Sequence, residues 1–267
     1  TRLGNSGLKV SRVGLGSWLT YGNATREEAA VECVDLALDL GVNLIDTADV
    51  YAKGKAEEFL GRALKGKRRE NLVVATKVFG TMSEDVNDRG LSRKHVMQSC
   101  EASLRRLQTD YLDLYQCHRH DPETPMHEVV RAMDDLIRQG KVLYWGVSAW
   151  EPAEIREAVE TAKELNAPPP ISNQPAYNML DRSIEAETIP VCDELGLGQI
   201  VYSPLCQGLL TGKYQQGKIP AGSRLANDSI NKFMKRRLTN ENFARVDALG
   251  EVAAELRVPM ATLAPAW

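Results

Sequence analysis

The chain of 267 residues is 43% hydrophobic and 26% charged, a globular composition long enough for one large α/β domain, which excludes collagen-like, disulfide-dense and wholly disordered chains. A formal net charge of −3 offers no concentrated positive field, so a small molecule is the expected partner and nucleic acid or an anionic membrane surface is not. The five cysteines (Cys33, Cys100, Cys117, Cys192, Cys206) form no CxxC pair, no apolar run reaches the roughly 18 residues of a membrane span, and TRLGNSGLKV at the start lacks a signal-peptide core, so a cytoplasmic location is expected.

In chain order, residues 2–10 read as a hairpin turning at Asn5-Ser6-Gly7, placed to plug the bottom of a barrel. Strand-like runs follow at 13–18, 42–46, 71–77, 111–118, 142–148, 171–174 and 198–203. Helical patterns lie between them at 25–40, with Thr25 as N-cap and Glu28 three residues on, then at 56–65, 92–107, 126–139, 152–165 and 183–195. Gly41, Gly140 and Gly196 stand where helix C-caps belong.

Strictly alternating βα units imply a parallel sheet, doubly wound or closed into a (β/α)8 TIM barrel. The stretch 204–240 breaks the rhythm and is long enough to be functional, a last helix follows at about 241–256, and ATLAPAW starts another. The expectation is a single barrel domain over residues 1–267, with the eighth strand and final helices lying beyond Trp267, because an open barrel would leave strand edges unpaired.

Asp46 and Tyr51 follow the second strand, Lys77 ends the third and His118 ends the fourth, all at the C-terminal face where barrel enzymes work. The set reads as a tuned proton donor. A free tyrosine has a pKa of about 10, and an adjacent ammonium stabilises the phenolate left behind. Lys77 supplies that charge, Asp46 holds it charged, and His118 can orient a carbonyl oxygen. Taken singly, Asp46 also reads as a turn cap, Tyr51 as a surface or core residue, and Lys77 as a snorkelling side chain.

His118 and His120 share a strand face, but no third ligand stands at metal spacing, and no metal is expected. His95 and His127 fall in helical patterns and read as surface residues. Gly14-Leu15-Gly16 fails as a dinucleotide fingerprint, since Leu19 stands where a third small residue is needed; the glycines suit close backbone approach at a barrel mouth instead. Ser148 and Gln174 end the fifth and sixth strands and can clamp an amide-bearing ligand or simply cap. Trp150 and the Phe79 loop suggest an apolar substrate pocket.

DTADVY (46–51), ATK ending at Lys77, LDLYQCH ending at His118, GVS (146–148), NQ (173–174) and YSPLCQGLLTGKY (202–214) together resemble the aldo-keto reductases from about residue 2 to the end. Within them, SWLTYG, DPETPM and the SPL…GLLTGKY segment most resemble bacterial reductases akin to the potassium-channel β subunits.

The resemblance implies a (β/α)8 barrel that binds NADPH across its C-terminal face and reduces aldehydes or ketones. Tyr51 is then the general acid, tuned by Lys77 and Asp46, with His118 orienting the carbonyl. Ser148 and Gln174 would contact the carboxamide, Tyr202 would stack on the nicotinamide, and Gly16, Ser17 and Trp18 would border it, with Trp18, Tyr51 and His118 facing substrate. Ser203, Pro204, Leu205, Gln207 and Gly208 would line the pyrophosphate path, with Lys213 and Arg224 as cations. In the family much of the 2′-phosphate site belongs to the eighth strand and the helix after it. Two alternatives stand beside the reductase: an accessory NADPH-binding module of the channel β-subunit type, whose pattern has Asn where His118 stands, and a Schiff-base lyase using Lys77.

Overall fold

The computed structural model describes residues 1–18, 27–214, 218–227, 231 and 234–267. Its strands are β1 (Leu15–Gly16), β2 (Leu44–Asp46), β3 (Val73–Val78), β4 (Leu112–Cys117), β5 (Val142–Val147), β6 (Ser172–Asn173) and β7 (Gly198–Gln199). They form one parallel sheet in sequential order from β1 to β7. The helices are α1 (Glu27–Asp39), α2 (Lys55–Ala63), α3 (Arg93–Leu107), α4 (Met126–Arg138), α5 (Pro152–Glu164), α6 (Thr188–Leu195), α7 (Asn240–Glu255) and α8 (Met260–Ala266).

Two compact units are present, one of Thr1–Gln174 with Glu187–Ile200 and one of Pro175–Ala186 with Val201–Trp267. The first holds the whole sheet. Leu44, Val73, Ala75, Leu114, Tyr144, Ile171 and Ile200, drawn from or beside β2 to β7, pack into one cluster with Leu3, Leu8 and Val10 of the N-terminal hairpin. A single cluster fed by six neighbouring strands requires the sheet to curl around it, as in a TIM-barrel-like (β/α) fold. The opposite face of the strands, with Ile45, Val74, Tyr115, Trp145 and Val147, packs under the helices in a larger core.

The hairpin forms as expected, with Arg2 bridged to Lys9 and Leu3 N donating to Leu8 O at 2.9 Å. Its turn takes in Asn5-Ser6-Gly7 and opens on Gly4, at φ +56°. A Cβ on Gly4 would stand 2.3 Å from Gly196 O and 2.6 Å from Gly198 N, so only glycine lets the hairpin close beneath β6 and β7.

The seven expected strands are all present, each shorter than expected, with β3 running one residue past the expected end at Lys77. The expected helix 183–195 divides into a 3-10 turn at Ser183–Glu185 and α6 from Thr188. Pro190 has no N–H to bond the carbonyl of Ala186, so the α-helix can begin only within a turn of it. Helix α3 starts on Ser92, whose Oγ accepts from His95 N at 3.3 Å, and α7 on Thr239, whose Oγ1 accepts from Asn242 N at 3.1 Å. Thr25, expected to cap α1, lies outside the described residues, as does most of the 18–25 loop.

The second unit has its own core of Leu180, Cys206, Leu209, Leu210, Tyr214, Leu225, Met234, Val246 and Ala264. The stretch 204–240, expected as a loop, carries 3-10 turns at Cys206–Thr211, Arg224–Ala226 and Lys235–Arg237. The helix read into ATLAPAW is α8.

Candidate active site

Along β2, β3 and β4 the inward positions alternate from apolar to polar toward the C-terminal end: Leu44 then Asp46, Ala75 then Lys77, Leu114 then Gln116. The apolar layer is sealed by the hairpin and the polar layer sits above it. Lys77 is fully buried, and its ammonium donates to Asp46 Oδ2 at 2.7 Å, to Thr47 O at 2.7 Å and to Tyr51 OH at 3.3 Å. Those three bonds use its three donors. Burial alone would lower the Lys77 pKa, but Asp46 and Tyr51 outweigh it and raise it, so the residue is an ammonium.

Tyr51 opens a 3-10 turn in which Ala52 and Lys53 take left-handed conformations, and Gly54 follows at φ +86°. A Cβ on Gly54 would meet Arg106 Cδ at 2.8 Å, so this sharp return into α2 also depends on glycine. Desolvation raises the Tyr51 pKa, Lys77 pulls it down, Asp46 pushes it up, and the balance is upward. The expected lowering by Lys77 is therefore present but is outweighed by burial.

The Tyr51 and His118 rings meet edge to face with centroids 5.8 Å apart. Burial, then the charges of Lys77 and Arg119, lower the His118 pKa to about 3, which leaves a neutral imidazole at physiological pH.

Asp46, Tyr51, Lys77 and His118 are thus brought together. Ser148 and Gln174 are buried beside them, with their donors turned to protein partners: Gln174 Nε2 donates to Asp46 Oδ1 at 2.8 Å, and Ser148 Oγ to Gln174 O at 2.8 Å. Ser17 is buried, its hydroxyl donating to Thr47 Oγ1 at 2.8 Å, while Trp18 is half-buried. A Cβ on Gly14 would come within 3.1 Å of Leu44 Cδ2, the close approach expected, but around Gly16 it would meet nothing within 4 Å.

Within the second unit, Tyr202 bridges Ala176 in parallel, and Ser203 O accepts from the buried Asn178 Nδ2 at 3.1 Å. Ser203, at positive φ, Pro204 and Leu205 lead into the 3-10 turn, in which Cys206, Gln207 and Gly208 also have positive φ. Lys213 Nζ lies 3.6 Å from where a Gly208 Cβ would be. Arg224 is half-buried.

Each unit by itself offers features that suit part of a nicotinamide dinucleotide. Open space adjoins Gly16, and a lysine ammonium lies against a side-chain-free turn. Gln207 Oε1 is buried without a partner among the described residues and suits a ligand hydroxyl or amide.

Two expectations are corrected. His95 is buried in α3, its Nδ1 3.6 Å from Asp88 and its pKa lowered by burial. It shares a buried stripe with Ser99 and Ser103, a polar seam that hydrophobic periodicity does not reveal. Trp150 is a buried member of the large core, edge to face with His120, rather than a wall of an apolar pocket.

Sequence reading also missed Gln116, whose Nε2 lies 3.5 Å from Asp46 Oδ1, although it precedes His118 by two residues and so shares its strand face. It missed Asp49, Glu57, Ser99 and Arg106 as well, whose connection spans three elements.

Residues 12–267 match the model of the Aldo/keto reductase family. The chain is 43% identical over 268 residues to proteins of Oryza sativa subsp. japonica and Arabidopsis thaliana named "Probable voltage-gated potassium channel subunit beta", covering 99% of this chain and 81% of each relative. A Schizosaccharomyces pombe protein named "Putative voltage-gated potassium channel subunit beta" is 42% identical over 273 residues, with 99% and 79% covered. Family match, relatives and the curled parallel sheet with its polar upper layer agree, and the chain belongs to the aldo/keto reductase family.

Proposed function

We propose that this protein reduces aldehydes or ketones to alcohols with NADPH in the cytoplasm, with Tyr51 as the proton donor. The observation that carries this reading is the grip on the fully buried Lys77, whose ammonium spans Asp46 and Tyr51. Family membership supports carbonyl reduction with a nicotinamide cofactor in general; NADPH in particular rests on the sequence resemblance.

When bound, the reduced nicotinamide supplies the hydride that the carbonyl carbon accepts. Tyr51 gives its phenolic proton to the carbonyl oxygen, so one O–H bond breaks as the alcohol O–H forms. Its raised pKa keeps the acid loaded at neutral pH. The Lys77 ammonium at 3.3 Å stabilises the phenolate until solvent reprotonates it, and Asp46 and Thr47 O hold that ammonium in place. Neutral His118 donates an N–H to the carbonyl oxygen and orients it toward Tyr51.

On the first unit Gly16, Ser17, Trp18, Asp46, Ser148 and Gln174 would border the nicotinamide. On the second, Tyr202, Ser203, Pro204, Leu205, Gln207, Gly208, Lys213 and Arg224 would hold the ring face and pyrophosphate. Trp18, Tyr51 and His118 would face the carbonyl substrate.

A second reading, an accessory subunit with little turnover, is favoured by the names of the relatives. The lyase reading is disfavoured, because a Lys77 held as an ammonium lacks the free lone pair that attacks a carbonyl. Fluorescence titration with NADPH and NADH, then turnover of 4-nitrobenzaldehyde followed at 340 nm, decides among them. Binding with turnover establishes the reductase, binding without turnover favours the accessory subunit, and no binding removes both. Borohydride trapping of a substrate adduct on Lys77 would restore the lyase.

A further inference from the structure

Behind Tyr51, on the helix side of the sheet, lies a buried ionic network outside the proposed mechanism. Asp49 and Glu57 are both fully buried. Glu57 Oε1 accepts from Thr76 Oγ1 at 2.6 Å, and its Oε2 accepts from Arg106 Nε at 2.7 Å. Glu57 is therefore neutralised. Among the described residues Asp49 has no such cation in contact: Oδ2 accepts from Ser99 Oγ of α3 at 2.9 Å, and Oδ1 from the Val50 amide at 2.6 Å.

The position of Asp49 gives these bonds a consequence. Its own amide donates to Lys77 O at 3.3 Å, and Tyr51 N donates to Ala48 O at 3.1 Å. The short turn Ala48–Tyr51 is thus tied at one end to the strand that carries Lys77 and closed at the other on the residue that presents the phenol. The Asp49 carboxylate pins the amide between them.

We propose that Asp49 is a positioning residue for Tyr51: its buried carboxylate grips the Val50 amide and fixes the turn that presents the phenol to Lys77, with a grip that depends on whether the carboxyl is ionised. The proposal deepens the reductase reading and rests on it for its kinetic consequence.

A carboxyl is a costly choice for this place. Burial first, then Glu57, raises the Asp49 pKa to about 7, against the opposing pull of Ser99, Val50 and Arg106. The groups around it do not share that titration. Burial pushes the Cys100 thiol up to about 12 and the Tyr115 phenol well above its ordinary value, so both stay neutral, and Glu57 is paired with Arg106. His118, at about 3, is also silent near neutrality. Ionised Asp49 accepts from Val50 N as a charge-assisted bond; protonated, it holds the same amide more weakly and turns its proton toward the Ser99 oxygen.

The test compares wild type, Asp49→Asn and Asp49→Ala in kcat between pH 6 and 9, in cofactor Kd and in melting temperature at pH 8. Wild-type kcat is expected to rise with pH through about 7. Asp49→Asn, which still offers Val50 an oxygen, is expected to lose that rise and keep a kcat between the wild-type limits. Asp49→Ala is expected to fall about tenfold in kcat with Kd unchanged, the cost of a misplaced acid. Asp49→Asn is also expected to melt no lower than wild type at pH 8, since it removes a buried charge.

A pH rise retained in Asp49→Asn, a kcat of Asp49→Ala within twofold of wild type, or losses of kcat that only follow losses of stability would each overturn the proposal. If wild type shows no turnover, the reductase reading fails separately. The coupling is then read from the Tyr51 ¹³Cζ resonance, assigned with Tyr51→Phe. A shift through about pH 7 that vanishes in Asp49→Asn supports it, and its absence in wild type overturns it.

Discussion

Gln174 and Asp46 stand 128 residues apart in the chain, and the Gln174 amide donates to Asp46 Oδ1 at 2.8 Å. Lys77 takes the other carboxylate oxygen, so Asp46 is oriented from both sides. Gln174→Ala leaves Oδ1 with the Gln116 amide at 3.5 Å. A lost bond to a charged group costs about 1.5–3 kcal/mol, so kcat is expected to fall by roughly tenfold or more. Steady-state kinetics with cofactor Kd measured in parallel checks this: a change in Kd alone would assign Gln174 to the carboxamide instead, and no change in either would make the bond idle.

Tyr51→Phe removes the proton donor and little else, because the ring keeps its edge against His118. A loss of at least about 100-fold in kcat with cofactor binding retained is the expected outcome. Near-normal turnover in the 340 nm assay would remove Tyr51 from that role.

Lys77→Met leaves Asp46 as an unpaired carboxylate at the end of an apolar strand. Breaking a buried pair typically costs about 3–5 kcal/mol, somewhat less here because Asp46 keeps 17% side-chain exposure. A loss in kcat comparable to that of Tyr51→Phe and a lower melting temperature are both expected. Pairing it with Asp46→Asn should recover stability but not activity. A variant changed only in KM would give Lys77 a binding role instead.

His118 makes stability depend on pH. Its pKa is lowered to about 3 in the fold from an ordinary value near 6.5, so between those values the unfolded chain binds a proton that the folded chain refuses. Stability from this group is full above about pH 6.5 and is lost as pH falls toward 3, by up to roughly 5 kcal/mol. His118→Asn removes the group, so its melting temperature relative to wild type should climb as pH falls from 7 to 4. Parallel curves would show that His118 does not carry the shift.

Strand order, the curl-ready alternation of β and α, and the four residues at the strand ends were legible in the sequence because each is local. Strand periodicity puts Asp46, Lys77 and His118 on inward positions whatever their neighbours do, and glycines such as Gly196 mark helix ends through backbone conformation alone. The family motifs lie within single segments for the same reason.

What only the tertiary structure decided is which polar atoms meet. Desolvation, a property of the packed interior, sets the His118 and Asp49 pKa values apart and outweighs Lys77 at Tyr51. Gln174 reaches Asp46, and Ser99 reaches Asp49, across separations that no local pattern encodes. Hydrogen bonds need their partners placed to within a few tenths of an ångström. Composition and periodicity determine which face of an element is buried, and only the packing of several elements fixes positions that closely.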